Sequence, residues 1–267
     1  MTHPDKHQAR KRFGQNFLHD PSIIQRIVDI INPQKEDRLI EIGPGKGALT
    51  KLFLERVNKL DVIEIDRDLV NTLTSTLGND ERLIIHQADA LKIDLSQFGQ
   101  KDLRIVGNLP YNISTPLLFH LLAYKDCIKD MIFMLQKEVV NRICAKPGNK
   151  QYGRLTIMLQ YYCEVEPLFI IKPGAFNPSP KVDSAIVRLR PLNSPKDDLL
   201  NHECLKIIVR EAFSQRRKTI RNGLKKYISE ADFKELNIAP ETRAENLEIA
   251  DFVRLANHYH YLKINTL

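Results

Sequence analysis

Cysteine is scarce in this chain of 267 residues and never paired: Cys127, Cys144, Cys163 and Cys204 stand singly, without a C-x-x-C spacing. That excludes a disulfide framework and a cysteine-rich zinc site, and it fits a reducing compartment. The histidines offer no metal site either. His86, His120 and His202 fall in separate segments without ligand spacing, so no metal is expected. No apolar run approaches the ~20 residues of a membrane span. The opening "MTHPDKHQARKRFGQNFL" has no apolar stretch long enough for a signal peptide. Internal repeats and low-complexity tracts are lacking too. The expectation is a soluble, cytoplasmic protein with no membrane partner.

What is present is enough apolar residue, 43%, to bury one substantial core, or one core with a small satellite domain. The formal net charge of +7 suits a polyanionic partner, although a merely basic soluble protein would carry it as well. From residue 38 onward, short β-rich runs alternate with helical segments. The runs are "RLIEI", "LDVIEI", "RLIIHQ", "LRIVGN" and "KDMIFMLQ"; between or after them come "KGALTKLFLERV", "DRDLVNTLTSTL", "TPLLFHLLAY" and "KEVVNRICA". Continuous apolar strands alternating with helices predict a parallel sheet covered on both faces, an α/β fold. Two late strands, "CEVEPLFIIK" and "SAIVRLR", are joined by "PGAFNPSPKVD", which is too short for a crossover helix. That pair is expected to be antiparallel. The sheet is then mostly parallel and seven-stranded. After "PLNSPKDD" no strand pattern returns, so a domain of residues 1–193 should be followed by a small all-helical one, 194–267.

The chemistry gathers at strand ends. "LIEIGPGKGALT" sets Gly43, Gly45 and Gly47 between the first strand and its helix. Glycines there permit a tight turn and let a ligand approach the backbone closely. The loop is neither a Walker A sequence nor G-x-G-x-x-G, and alone it could be only a turn. The second strand ends at Glu64, whose carboxylate could accept from both ribose hydroxyls or could be a surface or capping group. Asp66 looks like the N-cap of the following helix. The third strand leads to Asp89, either an acceptor for an adenine amino group or a loop cap. A glycine turn and two acids on successive strand ends suit an adenosine-bearing cofactor.

The fourth strand ends in "NLPY", Asn108 to Tyr111, with no acid, base or nucleophile among the four. An exocyclic amine on a base is a poor nucleophile because its lone pair is delocalised into the ring. Two acceptors aimed at its hydrogens would localise that pair. The Asn108 side-chain carbonyl and the Leu109 main-chain carbonyl could supply them. Pro110 fixes the chain direction and biases Leu109 away from helix. Tyr111 offers a flat face for the base, and such stacking is worth about 1–3 kcal/mol. Asn and Pro also form ordinary turns, but a turn does not explain their place one strand beyond the glycines and two acids.

Taken together, "RKRFGQNFL", "EIGPGKGALT", "VIEID", "ADAL", "GNLPYNIS", "AFNPSPKVDSAIVRL" and "AFSQRRKTIRN" resemble, in order and over nearly the whole chain, the motifs of the ribosomal RNA adenine dimethyltransferases. The resemblance implies a Rossmann-like class I methyltransferase fold and S-adenosylmethionine as cofactor. It implies cofactor contacts at Asn16, Leu18, Gly43, Glu64, Asp89 and Asn108, with "FGQNFL" folding over the cofactor. It also implies a catalytic group of Asn108, Leu109, Pro110, Tyr111 and Phe176. Phe176 would be a second aromatic wall for a flipped adenine, although beside three prolines it could equally be a packing anchor. The match is nearest to the bacterial small-subunit enzyme, which modifies two adjacent adenosines near the 3′ end. The partner would be small-subunit rRNA within a pre-ribosomal particle, and the enzyme a monomer. Residues 206–226 carry eight bases against Glu211 as the one acid, an excess that suits phosphate. Arg210, Arg216, Arg217, Lys218 and Arg221 are the RNA-binding candidates, with Lys6, Arg10, Lys11 and Arg12 adding to them. A large-subunit dimethyltransferase, an NAD-dependent dehydrogenase and a non-catalytic ribosome assembly factor are the competing readings.

Overall fold

The computed structural model describes residues 15–193, 198–215 and 218–265. Lys6, Arg10, Lys11, Arg12, Arg216 and Arg217 lie outside the described residues. Among the described residues there are nine strands: β1 (Phe17–Leu18), β2 (Arg38–Ile42), β3 (Leu60–Glu64), β4 (Leu83–Gln87), β5 (Leu103–Asn108), β6 (Ile128–Gln136), β7 (Cys163–Ile171), β8 (Phe176–Asn177) and β9 (Ser184–Pro191). Seven of them form one sheet in the order β4-β3-β2-β5-β6-β9-β7, and β1 with β8 makes a separate two-stranded pair.

The register explains why the central runs are largely apolar. β2 pairs in parallel with both β3 and β5, β3 with β4, and β5 with β6. Helices on both faces leave the central strands β2, β3 and β5 no solvent side, whereas β4, at the sheet edge, is only partly buried. All five residues of β3 and four of five in β2 are buried. β9 runs antiparallel to β6, and β7 lies beside β9 at the sheet edge. The chain leaves β2 for β3 and β4 on one side, then returns to β5 on the other. The order therefore reverses between β2 and β5, where a crevice opens at the carboxyl ends of the strands.

A helix over Pro21–Ile31 precedes the sheet, in a segment without an assigned element in the sequence pattern. Its signals are local. Asp20 Oδ1 accepts from Ser22 N and Ile23 N, Pro21 opens the helix, and Asn32 closes it in the left-handed region at φ 46. The helix buries Ile27, Val28 and Ile31 in a core shared with Leu39, Phe53, Leu60 and Phe176. The predicted "KGALTKLFLERV" helix is shorter than expected, Thr50–Leu54, because residues up to Leu49 form the glycine turn.

The chain divides into two compact units, residues 1–140 with 164–191, and residues 141–163 with 192–267. The first holds the sheet. The second adds to the C-terminal helices a segment containing the helix Arg154–Tyr162, which lies between β6 and β7 in sequence. Its core is helical and aromatic: Phe213 stacks on Phe252 with centroids 5.9 Å apart, and Phe233, Leu205, Ile208 and Leu255 are fully buried. Among the described residues no helix is long and apolar enough to cross a membrane.

Candidate active site

The first β-α turn is built on positive backbone angles. Gly43, Gly45 and Gly47 have φ of 69°, 57° and 79°, a region that penalises any side chain. Gly43 N donates to Ile63 O at 2.9 Å, which ties the turn to the end of β3. A Cβ on Gly45 would press on the Phe17 ring at 3.2 Å, so the turn also admits the N-terminal segment closely.

At the tip of β3, Glu64 is 6% exposed and its Oε1 accepts from Asp66 N at 2.9 Å. Burial pushes its carboxyl above the usual carboxylate range, while backbone donors from Asp66, Gly45 and Ile65 oppose that. Asp66 caps the following helix by accepting from Asp68 N, as its sequence position predicts. Asp89 follows β4. One of its oxygens accepts from Leu91 N at 3.0 Å, and Lys92 Nζ lies 3.9 Å from the other. The capping and ligand readings of Asp89 are therefore compatible, one oxygen for each.

At the end of β5, Leu109 N donates to Met134 O at 3.2 Å, so pairing with β6 extends past Asn108. Ile113 N donates to Pro110 O at 3.1 Å and closes the turn. Asn108 Nδ2 donates to Asn16 O at 3.1 Å. This fixes the orientation of the carboxamide: its nitrogen is turned to the N-terminal segment, and its oxygen is the group left to accept from a ligand. The Tyr111 hydroxyl lies 2.9 Å from Ser184 Oγ, at the start of β9.

Residues 15–18 run across these strand ends. Gln15 Nε2 donates to Asp66 Oδ2 at 2.9 Å, Lys46 Nζ lies 4.8 Å from the centre of the Phe17 ring, and β1 pairs with β8. The segment thus touches the loops after β2, β3 and β5. One cavity of about 340 Å³ lies beneath it, within the usual size of a small-molecule site. It is lined by Asn16, Leu18, Gly43, Glu64, Asp89, Asn108, Leu109, Pro110 and Tyr111.

Phe176 is not among the residues that line this cavity. Its ring is 3% exposed and packs in the core with Leu18, Val28 and Ile171. The register pairs Phe176 with Leu18, so its contribution is to anchor the segment over the cavity.

Glu41 is a lining residue that the pattern left unassigned. It is 1% exposed, accepts from Thr50 Oγ1 at 2.6 Å, and lies near Glu64. Burial, reinforced by the Glu64 charge and opposed by Thr50, pushes its carboxyl up to about 7. The available signal was an acid inside a strand with no solvent face.

The basic segment is less one-sided than its own sequence suggests. Arg210 Nε meets Glu211 at 2.7 Å, Lys206 meets Glu203 at 2.6 Å, and Arg221 Nη1 meets Glu230 at 2.8 Å. Two of those acids come from outside residues 206–226. Three of the eight histidines have these structural partners: His86 the Asp61 carboxylate, His120 the Ile93 carbonyl, and His202 the Tyr162 hydroxyl.

A model of the family described as "Ribosomal RNA adenine dimethylase" matches residues 6–260. The chain belongs to that family. Two relatives named "Ribosomal RNA small subunit methyltransferase A" are those of Pseudomonas aeruginosa and Marinomonas sp. (strain MWYL1). The first is 55% identical over 96% of this chain and 97% of its own length, the second 52% identical over 97% and 98%. Among solved structures, a dimethyladenosine transferase from Plasmodium falciparum is 28% identical with a TM-score of 0.75, over 93% of this chain and 97% of that one. The 23S rRNA methyltransferase ErmE is 25% identical with a TM-score of 0.69, over 92% and 100%. Members of the family use S-adenosylmethionine, and the donor set fits it: buried and half-buried carboxylates for a cationic adenosine ligand, and a glycine turn that brings main chain to the cavity wall.

Proposed function

We propose that this chain is an S-adenosylmethionine-dependent dimethyltransferase of small-subunit rRNA. Its targets are the exocyclic amines of two adjacent adenosines near the 3′ end. It acts as a cytoplasmic monomer on a pre-ribosomal particle. Family membership supports the reaction, and the name shared by relatives at 52% and 55% identity supports the substrate. The structural observation that carries the reading is the oriented Asn108 carboxamide, whose nitrogen is held by Asn16 O.

The cofactor, when bound, supplies an electrophilic methyl group on a sulfonium. Glu64 would accept from its ribose hydroxyls and Asp89 from its adenine amino group. Asn108 Oδ1 and the Leu109 carbonyl accept from the two hydrogens of the substrate amine, which localises its lone pair. Tyr111 carries the extruded base on its ring face. A carboxamide does this without becoming protonated, so the acceptor is constant over the working pH range. No general base is needed, because the amine proton becomes acidic once the nitrogen has gained its methyl and can pass to water. Arg210, Arg216, Arg217, Lys218 and Arg221 contribute to phosphate binding in the second unit, and structured rRNA is recognised largely by shape.

The test is transfer of a labelled methyl group to ribosomal subunits that lack the modification. The expected product is dimethyladenosine in small-subunit rRNA; label confined to the large subunit would reject the assigned substrate. Asn108→Ala should slow transfer by about a hundredfold. Full activity in that variant would remove the carboxamide from the mechanism.

A further inference from the structure

We infer that Ser184 is a positioning residue for the methyl transfer, acting through the Tyr111 hydroxyl. The inference rests on the reading of Tyr111 as the platform for the target base.

Ser184 is fully buried, and its Oγ lies 2.9 Å from the Tyr111 hydroxyl across 73 residues of sequence. Its position is fixed from three sides. Ser184 pairs with Gln136 in the β6–β9 register. Immediately before it, Asp183 O accepts from Lys137 N at 2.9 Å. The Asp183 carboxylate holds Lys172 Nζ at 3.0 Å and Lys137 Nζ at 3.5 Å. Ser184 therefore presents its hydroxyl from the first residue of a strand that cannot shift without breaking these contacts.

Tyr111 is placed differently. It follows Pro110 in a turn at the cavity and is only half-buried. A tyrosine ring rotates about two side-chain bonds, and the direction of its face depends on both. Backbone anchoring at Pro110 fixes one end of the side chain; the bond to Ser184 fixes the other. The phenolic oxygen lies on the axis of the second of these bonds, so the contact fixes where the ring lies, and it biases the direction of its face because a phenol donates and accepts close to its own ring plane. An unanchored ring would be ordered at the expense of substrate binding. Small displacements at a reacting centre cost rate out of proportion to their size. Burial pushes the Tyr111 phenol above its ordinary value, so it remains a neutral hydroxyl at working pH and keeps this bond.

The experiment compares Ser184→Ala, Tyr111→Phe and the double variant, with Tyr111→Ala as reference. Four quantities are read: kcat and KM on unmodified small subunits, S-adenosylhomocysteine affinity by calorimetry, and Tm. Losing one hydrogen bond's worth of orientation should lower kcat about fivefold in each single variant. S-adenosylhomocysteine affinity should stay unchanged, because neither residue is assigned a cofactor contact. The double variant should be no slower than either single one, since both substitutions delete the same bond. Tyr111→Phe should melt below the double variant, because it leaves the buried Ser184 hydroxyl without its partner. A Ser184→Ala rate equal to wild type, or a loss that multiplies in the double variant, would overturn the inference. Full activity in Tyr111→Ala would instead overturn the underlying assignment of Tyr111, which the other three variants leave intact.

Discussion

Replacing Glu41 by Gln changes one proton-binding group and almost no volume. Glu41 is 1% exposed at the end of β2, with Thr50 Oγ1 donating to it at 2.6 Å and the Glu64 carboxyl nearby. Its folded value of about 7 stands against 4.5 for the unperturbed group. The folded chain therefore holds this proton more tightly than the unfolded chain does. Stability must fall as pH rises from about 4.5 to about 7 and level off above that. At 1.36 kcal/mol for each tenfold change in proton affinity, the full fall is about 3 kcal/mol. Gln carries no charge and can still accept from Thr50 through its side-chain oxygen, so it removes the slope and retains the bond. Urea unfolding at pH 5, 6, 7 and 8 reads the effect. The variant should be the more stable by less than about 1 kcal/mol at pH 5 and by about 3 kcal/mol at pH 8. A difference that stays constant across this range, or a variant weaker than wild type at pH 8, would refute the assignment of a raised carboxyl. The strain has a functional counterpart, because Glu41 lines the cavity. A cationic ligand there favours the carboxylate, so cofactor binding at pH 7 should release a proton. Calorimetry in two buffers of different ionisation heat measures this, and the Gln variant should release less.

Two further outcomes follow from contacts around the crevice. A Cβ on Gly107 would lie 2.3 Å from Ile42 O, so Gly107→Ala must push β5 away from β2. A loss of about 3 kcal/mol is expected by denaturant unfolding. Gly174→Ala, with nothing within 4 Å of the added carbon, is the control and should change little. Phe176→Ala should cost about 3–5 kcal/mol in stability and weaken cofactor binding, since the ring supports Leu18 over the cavity. If that variant kept its stability and cofactor affinity and lost only turnover, Phe176 would be a base contact after all.

How much of this was legible depends on where the relevant neighbours lie in sequence. The strands were, because a sheet covered on both faces demands uninterrupted apolar runs, and "LDVIEI" or "LRIVGN" has little else to become. The cavity followed from them, since Gly43, Glu64, Asp89 and Asn108 each end a strand and a parallel sheet brings all strand ends to one edge. What local pattern did not supply was depth and pairing. An aromatic among prolines looks the same whether it faces a ligand or a core; only the β1–β8 register decides that Phe176 turns inward against Leu18. Eight cations in one segment suggest an open phosphate-binding face until Glu203 and Glu230, outside the segment, are placed against Lys206 and Arg221. Glu41 was legible in principle, for the inference that β2 has no solvent side already made any acid within it a buried one. Carried one step further, the same reasoning that located the sheet would have marked Glu41 as a group whose charge the fold resists. A cation in the adjoining cavity is what would relieve that resistance.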